Sequence, residues 1–371
     1  MICVAAAGLA AVSVAYLQPF AARSGSGPFL LLRMVTPQFV SATTGWVLVE
    51  QVESAPARVT HDTVFATTDA GRTWRRLSLP VATARPVEIN LVNPADGFVA
   101  ATTVSGSPAP TLLFATSDFG RHWQERAFPP SGGYVAAIQM FSAQRGVFDF
   151  WQSPVLGLQP LFLYTTDDGG GSWVPIPQIH IPAGEVKRWV WFSDATTGWA
   201  FTSSLYMTHD AARTWARALL PAAPGNAQLG AVGAPASLLP PVFLGDGAEG
   251  LMSAPLGTGG AELVYSTHDA GRTWEEPRLV TAPGPTVVYV GPTVWLAYGR
   301  HSVSISADAG LTWTANLASL PAGDALGEIQ LVDVQHLWAT DPGSGGISPE
   351  LLLRSTDGGA HWTEVRLPAW T

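Results

Sequence analysis

The sequence predicts an all-β fold: a seven-bladed β-propeller with four-stranded antiparallel blades and an acidic hairpin between strands three and four of each blade. Three observations predict it. An eight-residue phrase, Ser/Thr-x-Asp-x-Gly-x-Thr/Ser-Trp or a near copy, occurs seven times in the 371 residues. Its aspartates are Asp69, Asp118, Asp168, Asp210, Asp269, Asp308 and Asp357, separated by 49, 50, 42, 59, 39 and 49 residues. Steps of about 40–50 residues with strand-like content belong to propellers or solenoids. Upstream of each phrase lies a second apolar element, such as Gly45-Trp46-Val47-Leu48-Val49 or Gly198-Trp199-Ala200-Phe201.

Each repeat supplies four strands. The first alternates polar and apolar residues, as in Glu88-Ile89-Asn90-Leu91-Val92 and Glu328-Ile329-Gln330-Leu331-Val332. The second is the Gly-Trp element, which continues as Gly97-Phe98, Gly146-Val147 and Gly250-Leu251, and without the glycine as Val294-Trp295-Leu296 and Leu337-Trp338-Ala339. The third is a short apolar run entering the phrase, from Thr63–Ala66 in the first repeat to Leu351–Leu353 in the last. The fourth leaves the phrase through its tryptophan: Trp74, Trp123, Trp173, Trp215, Trp274, Trp313 and Trp362. Strand, tight turn, strand is the reading of such a pattern. Radial repetition of four-stranded sheets protects most strand edges by closure.

The phrase explains itself as turn chemistry. Its Asp accepts hydrogen bonds from backbone N–H groups of its own turn. The glycine two residues on supplies a positive φ without steric cost, and the Trp is sized for the wedge between neighbouring sheets. Departures fit the same reading: Ala212 replaces the glycine in the fourth copy, and His122 and His361 replace the small hydroxyl residue in the second and seventh. The aspartates are therefore expected to be fold devices, with no catalytic residue and no metal site among them.

The phrase resembles the Asp-box, or bacterial neuraminidase repeat, of sialidases, sortilin-type receptors, xyloglucan hydrolases and photosystem II assembly/stability factors. The resemblance covers residues 34–368, and the Gly-Trp pattern ahead of each box is most similar to the photosystem II factors. It implies the fold and a scaffold or assembly role; it says little of chemistry, because those relatives share little. Blade limits are expected near 34–80, 86–129, 134–177, 187–221, 230–279, 286–320 and 326–368, making residues 34–371 one seven-bladed unit. Blade five is the least marked, its inner strand falling near Val242–Leu244.

Residues 1–22 carry no side-chain charge and are apolar and Ala-rich. They read as a signal peptide or a membrane anchor, with anchoring through residues 2–20 and a linker over 23–33. Export is the expectation, to an extracytoplasmic, secreted, periplasmic or cell-surface location. Cys3, in that leader, is the one cysteine, so the propeller has no disulfide and no thiolate chemistry. The chain is acidic, with a net charge of −9, and has no basic stripe, which argues against nucleic acid as a partner.

A search for chemistry finds little. The resemblance implies that a sialidase would need an arginine cluster, a Tyr–Glu nucleophile and an acid/base Asp, but the Arg-Ile-Pro signature is absent. Arg72, Arg121, Arg213 and Arg272 follow the glycine position in four boxes, and a radial array keeps them on different blades. Asp149, Asp194, Asp246, Glu249, Asp333 and Asp341 lie near strand ends with no spacing that selects a glycosidase pair. No spacing fits a zinc or calcium site, a phosphate loop or a dinucleotide fingerprint, so no cofactor is expected. Trp151, Trp189, Trp191 and Trp370 fall outside both repeated elements and are candidates for carbohydrate stacking.

A binding surface follows from topology. The boxes occupy one face, and the loops between strands two and three open on the other: Gln51–Asp62, Thr103–Pro110, Gln152–Pro160, Ala254–Ala261 and Asp341–Pro349 are the long ones. Loops of varied length over a fixed scaffold are where repeat proteins place recognition. Glu88, Asn90, Gln139, Arg188, Glu328 and Gln330 alternate with apolar residues on the inner strands and are candidates to line the channel and bind a polar ligand. The expected function is a monomeric, non-enzymatic scaffold that binds a protein or polysaccharide opposite the boxes. The alternative is a glycoside hydrolase of sialidase-like or xyloglucan-hydrolase-like type.

Overall fold

Among the described residues of the computed structural model, twenty-eight strands form seven four-stranded antiparallel sheets, and each sheet is built from four consecutive strands. The structure describes residues 30–54, 59–103, 111–128, 133–152, 161–176, 189–201, 204–222, 238–244, 247–256, 261–284, 286–299, 301–316, 319–321, 325–341 and 351–368. Among them no helix is long and apolar enough to cross a membrane. The expected all-β, seven-bladed propeller is the observed fold.

Blade one runs Leu30–Phe39, Gly45–Ser54, Val59–Thr67 and Arg75–Leu77, from inner to outer strand. Leu30–Met34 are continuous with its inner strand. The inner strands that follow are Ala84–Leu91, Gly133–Met140, Trp189–Phe192, Val242–Leu244, Thr286–Tyr289 and Ile329–Leu331. Blade five thus has its inner strand where the weak signal put it.

Seven apolar clusters fill the seven seams between blades. Trp46, Leu48, Ile89, Val99 and Trp123 join blades one and two, and Phe98, Leu113, Ile138, Phe148 and Trp173 join two and three. The last cluster contains Val35, Phe39, Val47, Trp74, Trp338 and Leu352, so blade seven packs on blade one and the ring is closed. Among the described residues no strand is exchanged between first and last blades, so side-chain packing and side-chain-to-backbone hydrogen bonds hold that closure. Trp46, Trp199, Trp295 and Trp338 are among the largest fully buried side chains. Truncating such a residue costs about 3–5 kcal/mol, against about 1 kcal/mol for a typical single hydrogen bond. Packing across the seams therefore dominates the stability, and the turns refine it.

The glycine of the Gly-Trp element has a packing reason. A Cβ built on Gly45 would lie 2.3 Å from the Phe39 ring, which crosses over the start of the second strand. In blades six and seven this place, opposite the first residue of the acidic phrase, is taken by Trp295 and Leu337. Trp295 is therefore the counterpart of Gly45 and not of Trp46; it meets Tyr289 edge-on at 4.9 Å.

Candidate functional site

The seven acidic turns share one hydrogen-bond design. In the first, the Thr67 hydroxyl donates to Asp69 Oδ1 at 2.8 Å, and the same Asp oxygen accepts the Thr73 N–H at 2.9 Å. The Thr73 hydroxyl donates to Asp69 Oδ2 at 2.6 Å, and the Gly71 N–H closes on Thr67 Oγ1 at 2.9 Å. The other six repeat this, with the His122 and His361 rings replacing the second hydroxyl at 2.5 Å from Asp118 and Asp357. Two successive left-handed residues, Ala70 at φ 62° and Gly71 at φ 77°, make the reversal. A Cβ on Gly71 would meet Val365 of blade seven at 2.4 Å, so each turn fits against the preceding blade.

These carboxylates are spent as acceptors. The hydroxyl and then the N–H of Thr73 hold the Asp69 carboxyl down to about 2. The Ser172 N–H and hydroxyl do the same for Asp168, also about 2, and the Thr312 hydroxyl and N–H for Asp308, about 2. The His122 N–H and ring hold Asp118 well below the usual carboxylate range. At Asp269, Asp210 and Asp357 burial opposes the charge, and the turn's hydrogen bonds outweigh it. Groups held ionised this firmly have no proton to donate near neutral pH.

A second set of bonds fixes which face the turns occupy. The N–H of the residue after each Asp donates to a carbonyl in the turn between inner and second strands: Ala70 to Thr43 at 2.9 Å, Phe119 to Ala95 at 2.8 Å, and so on to Gly358 and Gln335 at 3.0 Å. Both hairpin turns of every blade therefore share one face. The loops between second and third strands open on the other face, as an antiparallel meander requires. Each phrase tryptophan lies in the cluster between its own blade and the one before, Trp74 with blade seven and Trp362 with blade six. Trp74 Nε1 donates to the Arg366 carbonyl at 3.1 Å and Trp173 Nε1 to that of Ala127 at 2.9 Å, again across seams.

Most of the polar inner-strand residues do a structural task. Gln330 Oε1 accepts the Phe39 N–H at 2.9 Å, Asn90 Oδ1 accepts the Met140 N–H at 3.2 Å, and Gln139 Oε1 accepts the Phe192 N–H at 3.1 Å. Each bond runs from one blade's inner strand to the backbone of the next, and all three side chains are buried. Glu88 Oε1 similarly accepts the Ile138 N–H at 3.0 Å. Glu328 is exposed, and its backbone N–H meets the Thr340 hydroxyl at 3.2 Å. Arg188 lies outside the described residues.

Sequence reasoning missed Gln38, whose Oε1 accepts the Leu91 N–H at 2.7 Å. Its signal was present: Gln38 stands seven residues before Gly45, as Asn90 does before Gly97 and Gln139 before Gly146. Also missed were Arg75 and Arg278, on the outer strands of blades one and five. Arg75 donates to the Gly120 carbonyl at 3.1 Å, and Arg278 to that of Ala309, each capping the acidic turn of the following blade.

Elsewhere, Asp194 and Asp333 fasten inner turns, accepting the N–H groups of Thr196 at 2.7 Å and Gln335 at 2.8 Å. Glu249 pairs with His268 at 2.6 Å. Glu262, buried beside the Tyr289 hydroxyl at 3.2 Å, is pushed up by burial. Trp191 is a core residue of the seam between blades four and five; Trp370 and the side chains of Trp151 and Trp189 lie outside the described residues. Among the described residues, no group of three or more His, Cys, Asp or Glu is placed to hold a metal ion.

Among the described residues the inner strands of blades one to three are 10, 8 and 8 residues long, and those of blades five and seven 3 each. Arg85 ties the inner strand of blade two to blade one, donating from Nε and Nη2 to Asp62 at 2.9 and 2.8 Å. Of the long loops that the sequence marked for recognition, residues 55–58, 104–110, 153–160, 257–260 and 342–350 lie outside the described residues; in the first of them, Gln51–Ser54 and Val59–Asp62 are paired strand and not loop, because the hairpin ladder of blade one continues through them.

No protein-family model matches the chain, and no curated protein matches it. Solved structures do. YCF48 bound to a D1 peptide superposes with a TM-score of 0.54 at 16% identity, covering 90% of this chain and 98% of that one. YCF48 from Cyanidioschyzon merolae gives 0.50 at 15% identity over 78% and 87%. Prolyl oligopeptidase B from Galerina marginata gives 0.51 at 10% identity, this chain covering 51% of that one. These likenesses are of fold.

Proposed function

We propose that this chain is an exported, non-enzymatic propeller of the Asp-box type that holds a partner on its loop face, opposite the acidic turns. The partner is a protein, engaged through an extended segment, or an extracellular polymer; nucleic acid is not one. Residues 1–22 serve as signal or anchor and the residues after them as a linker up to the strand that opens at Leu30, from which the propeller runs, acting as a monomer outside the cytoplasm.

The observation that carries the reading is the division between faces. The turn face spends its seven box carboxylates on hydroxyl and N–H groups of their own turns, as Asp69 does on Thr67 and Thr73. The loop face carries the connections between second and third strands, several of them long in the sequence. The peptide carried by YCF48, a protein of the same fold over nearly its whole length, supports a peptide-like partner.

Photo-crosslinking in the native host tests this. A photoreactive residue replaces exposed Thr286 or Glu328 at the start of inner strands, or exposed Leu311 or Val334 on the turn face. Adducts from the first pair alone are expected, and adducts from the second pair alone would refute the reading. Turnover of fluorogenic glycosides, lost on replacing a single loop-face carboxylate, would favour the hydrolase instead.

A further inference from the structure

Asp62 stands five residues before Thr67, the first residue of its acidic phrase, and Glu262 stands five before Thr267. They are counterparts in blades one and five, and both are buried, the Asp62 side chain at 6% exposure and Glu262 at 2%. The following blade answers them differently. Asp62 receives two hydrogen bonds from the Arg85 guanidinium of blade two, at 2.9 and 2.8 Å. Glu262 receives a neutral group: the Tyr289 hydroxyl of blade six donates to its Oε2 at 3.2 Å. The Ser253 hydroxyl, buried in blade five, hydrogen-bonds both partners.

Trp295 accounts for the reach of Tyr289. Tyr289 stands opposite Trp295 as Phe39 stands opposite Gly45. The Phe39 ring lies over its glycine; the Trp295 indole denies Tyr289 that place, so its ring stands edge-on at 81° and its hydroxyl ends on blade five. The nearby cation is engaged elsewhere, since Arg278 lies over the Trp295 ring at 5.4 Å and donates to the Ala309 carbonyl. Glu249, His268, Glu275 and Asp308 stand at the turn-face ends of the two blades, and Leu251 and Val264 come between along the strands. Among the described residues Glu262 has no salt bridge.

An ionised carboxylate buried without a cation is costly, and such a group keeps its proton instead. Burial pushes the Glu262 carboxyl up, against the pull of the Ser253 and Tyr289 hydroxyls. We propose that Glu262 is a proton switch: as the neutral acid it is joined to Ser253 and Tyr289 across the seam between blades five and six, and its ionisation loosens that seam. The stability it contributes is present below the unfolded value near 4.3 and lost as pH rises through the folded value. That is the opposite sense to the box aspartates. Sealed in the seam, the pair is closed to a substrate.

Difference infrared spectroscopy of the full chain against Glu262→Gln reads the proton. A protonated-carboxyl stretch is expected in the parent alone, titrating with a midpoint above the ordinary value near 4.3. Hydrogen exchange then reads the seam in peptides spanning Ala261–Thr267 and Thr286–Tyr289. About one pH unit above that midpoint, exchange there is expected to be at least about threefold faster in the parent than in the variant. About one unit below it the two should match, as should peptides spanning Thr111–Thr116 of blade two at both pH values. A midpoint at or below about 4.3, or a parent-to-variant exchange ratio that pH does not change, would overturn the proposal. Should Glu262→Gln fail to fold, the parent's band, assigned by its shift on carbon-13 labelling of glutamate, decides through the same midpoint.

Discussion

Gln330 and Phe39 lie 291 positions apart in sequence and exchange two hydrogen bonds: the Phe39 N–H donates to Gln330 Oε1 at 2.9 Å, and Gln330 Nε2 donates to the Phe39 carbonyl at 3.3 Å. The Phe39 ring meanwhile stacks on Trp338, with centroids 3.6 Å apart and planes 8° from parallel. With no strand shared between first and last blades among the described residues, these contacts latch the ring.

Replacing Gln330 by Leu leaves the Phe39 N–H buried and unpaired. A loss of about 1–3 kcal/mol is expected, read as a lower urea midpoint with an unchanged m-value.

Gly71→Ala demands both a left-handed alanine and room against Val365. The backbone alone costs about 1–2 kcal/mol, and displacing Val365 adds to it. Gly291→Ala, whose added Cβ meets nothing within 4 Å, is the matched control and should leave thermal unfolding unchanged.

Acid stability follows from the depressed aspartates. Their carboxyls lie lower when folded, at about 2 for Asp69, Asp168, Asp269 and Asp308, than the unfolded value near 3.9. The unfolded chain therefore binds protons first as pH falls. The stabilisation is complete above about pH 5 and is lost from about pH 4 to 2. Melting temperature should fall across that window, and Asp69→Asn should make its slope shallower.

His268 titrates the other way. Its hydrogen bond and charge attraction to Glu249, aided by Glu275, raise its pKa above the ordinary 6.5. The stability it contributes is present below pH 6.5 and lost as pH rises through the folded value. A proton NMR titration should show the midpoint above 6.5 in the native chain and lower in Glu249→Gln.

Architecture was legible in the sequence because it is written in repeats. The spacing of Asp69 to Asp357, the turn glycines and the phrase tryptophans each report a local need that recurs seven times. What stayed hidden is relational. Alternation says that Asn90, Gln139 and Gln330 point away from their flanking apolar residues, but not that a neighbouring blade's N–H waits there; they read as channel residues and serve as stitches. Gln38 escaped notice because its strand lacks the Glu-x-polar pattern of blades two and seven. Trp295 looked like a member of the Gly-Trp series until strand register put it opposite Ser306, in the glycine's place. Arg75 and Arg278 cap turns about 31–45 residues downstream, a distance over which no pattern on one strand is informative.

The most direct test of the acidic turns as fasteners is the urea unfolding midpoint of seven single Asp→Ala variants, one per blade, at pH 7. A drop in every variant is predicted. A carboxylate kept for chemistry at the expense of the fold would instead leave the protein unchanged or more stable when removed, and one such variant would contradict the account.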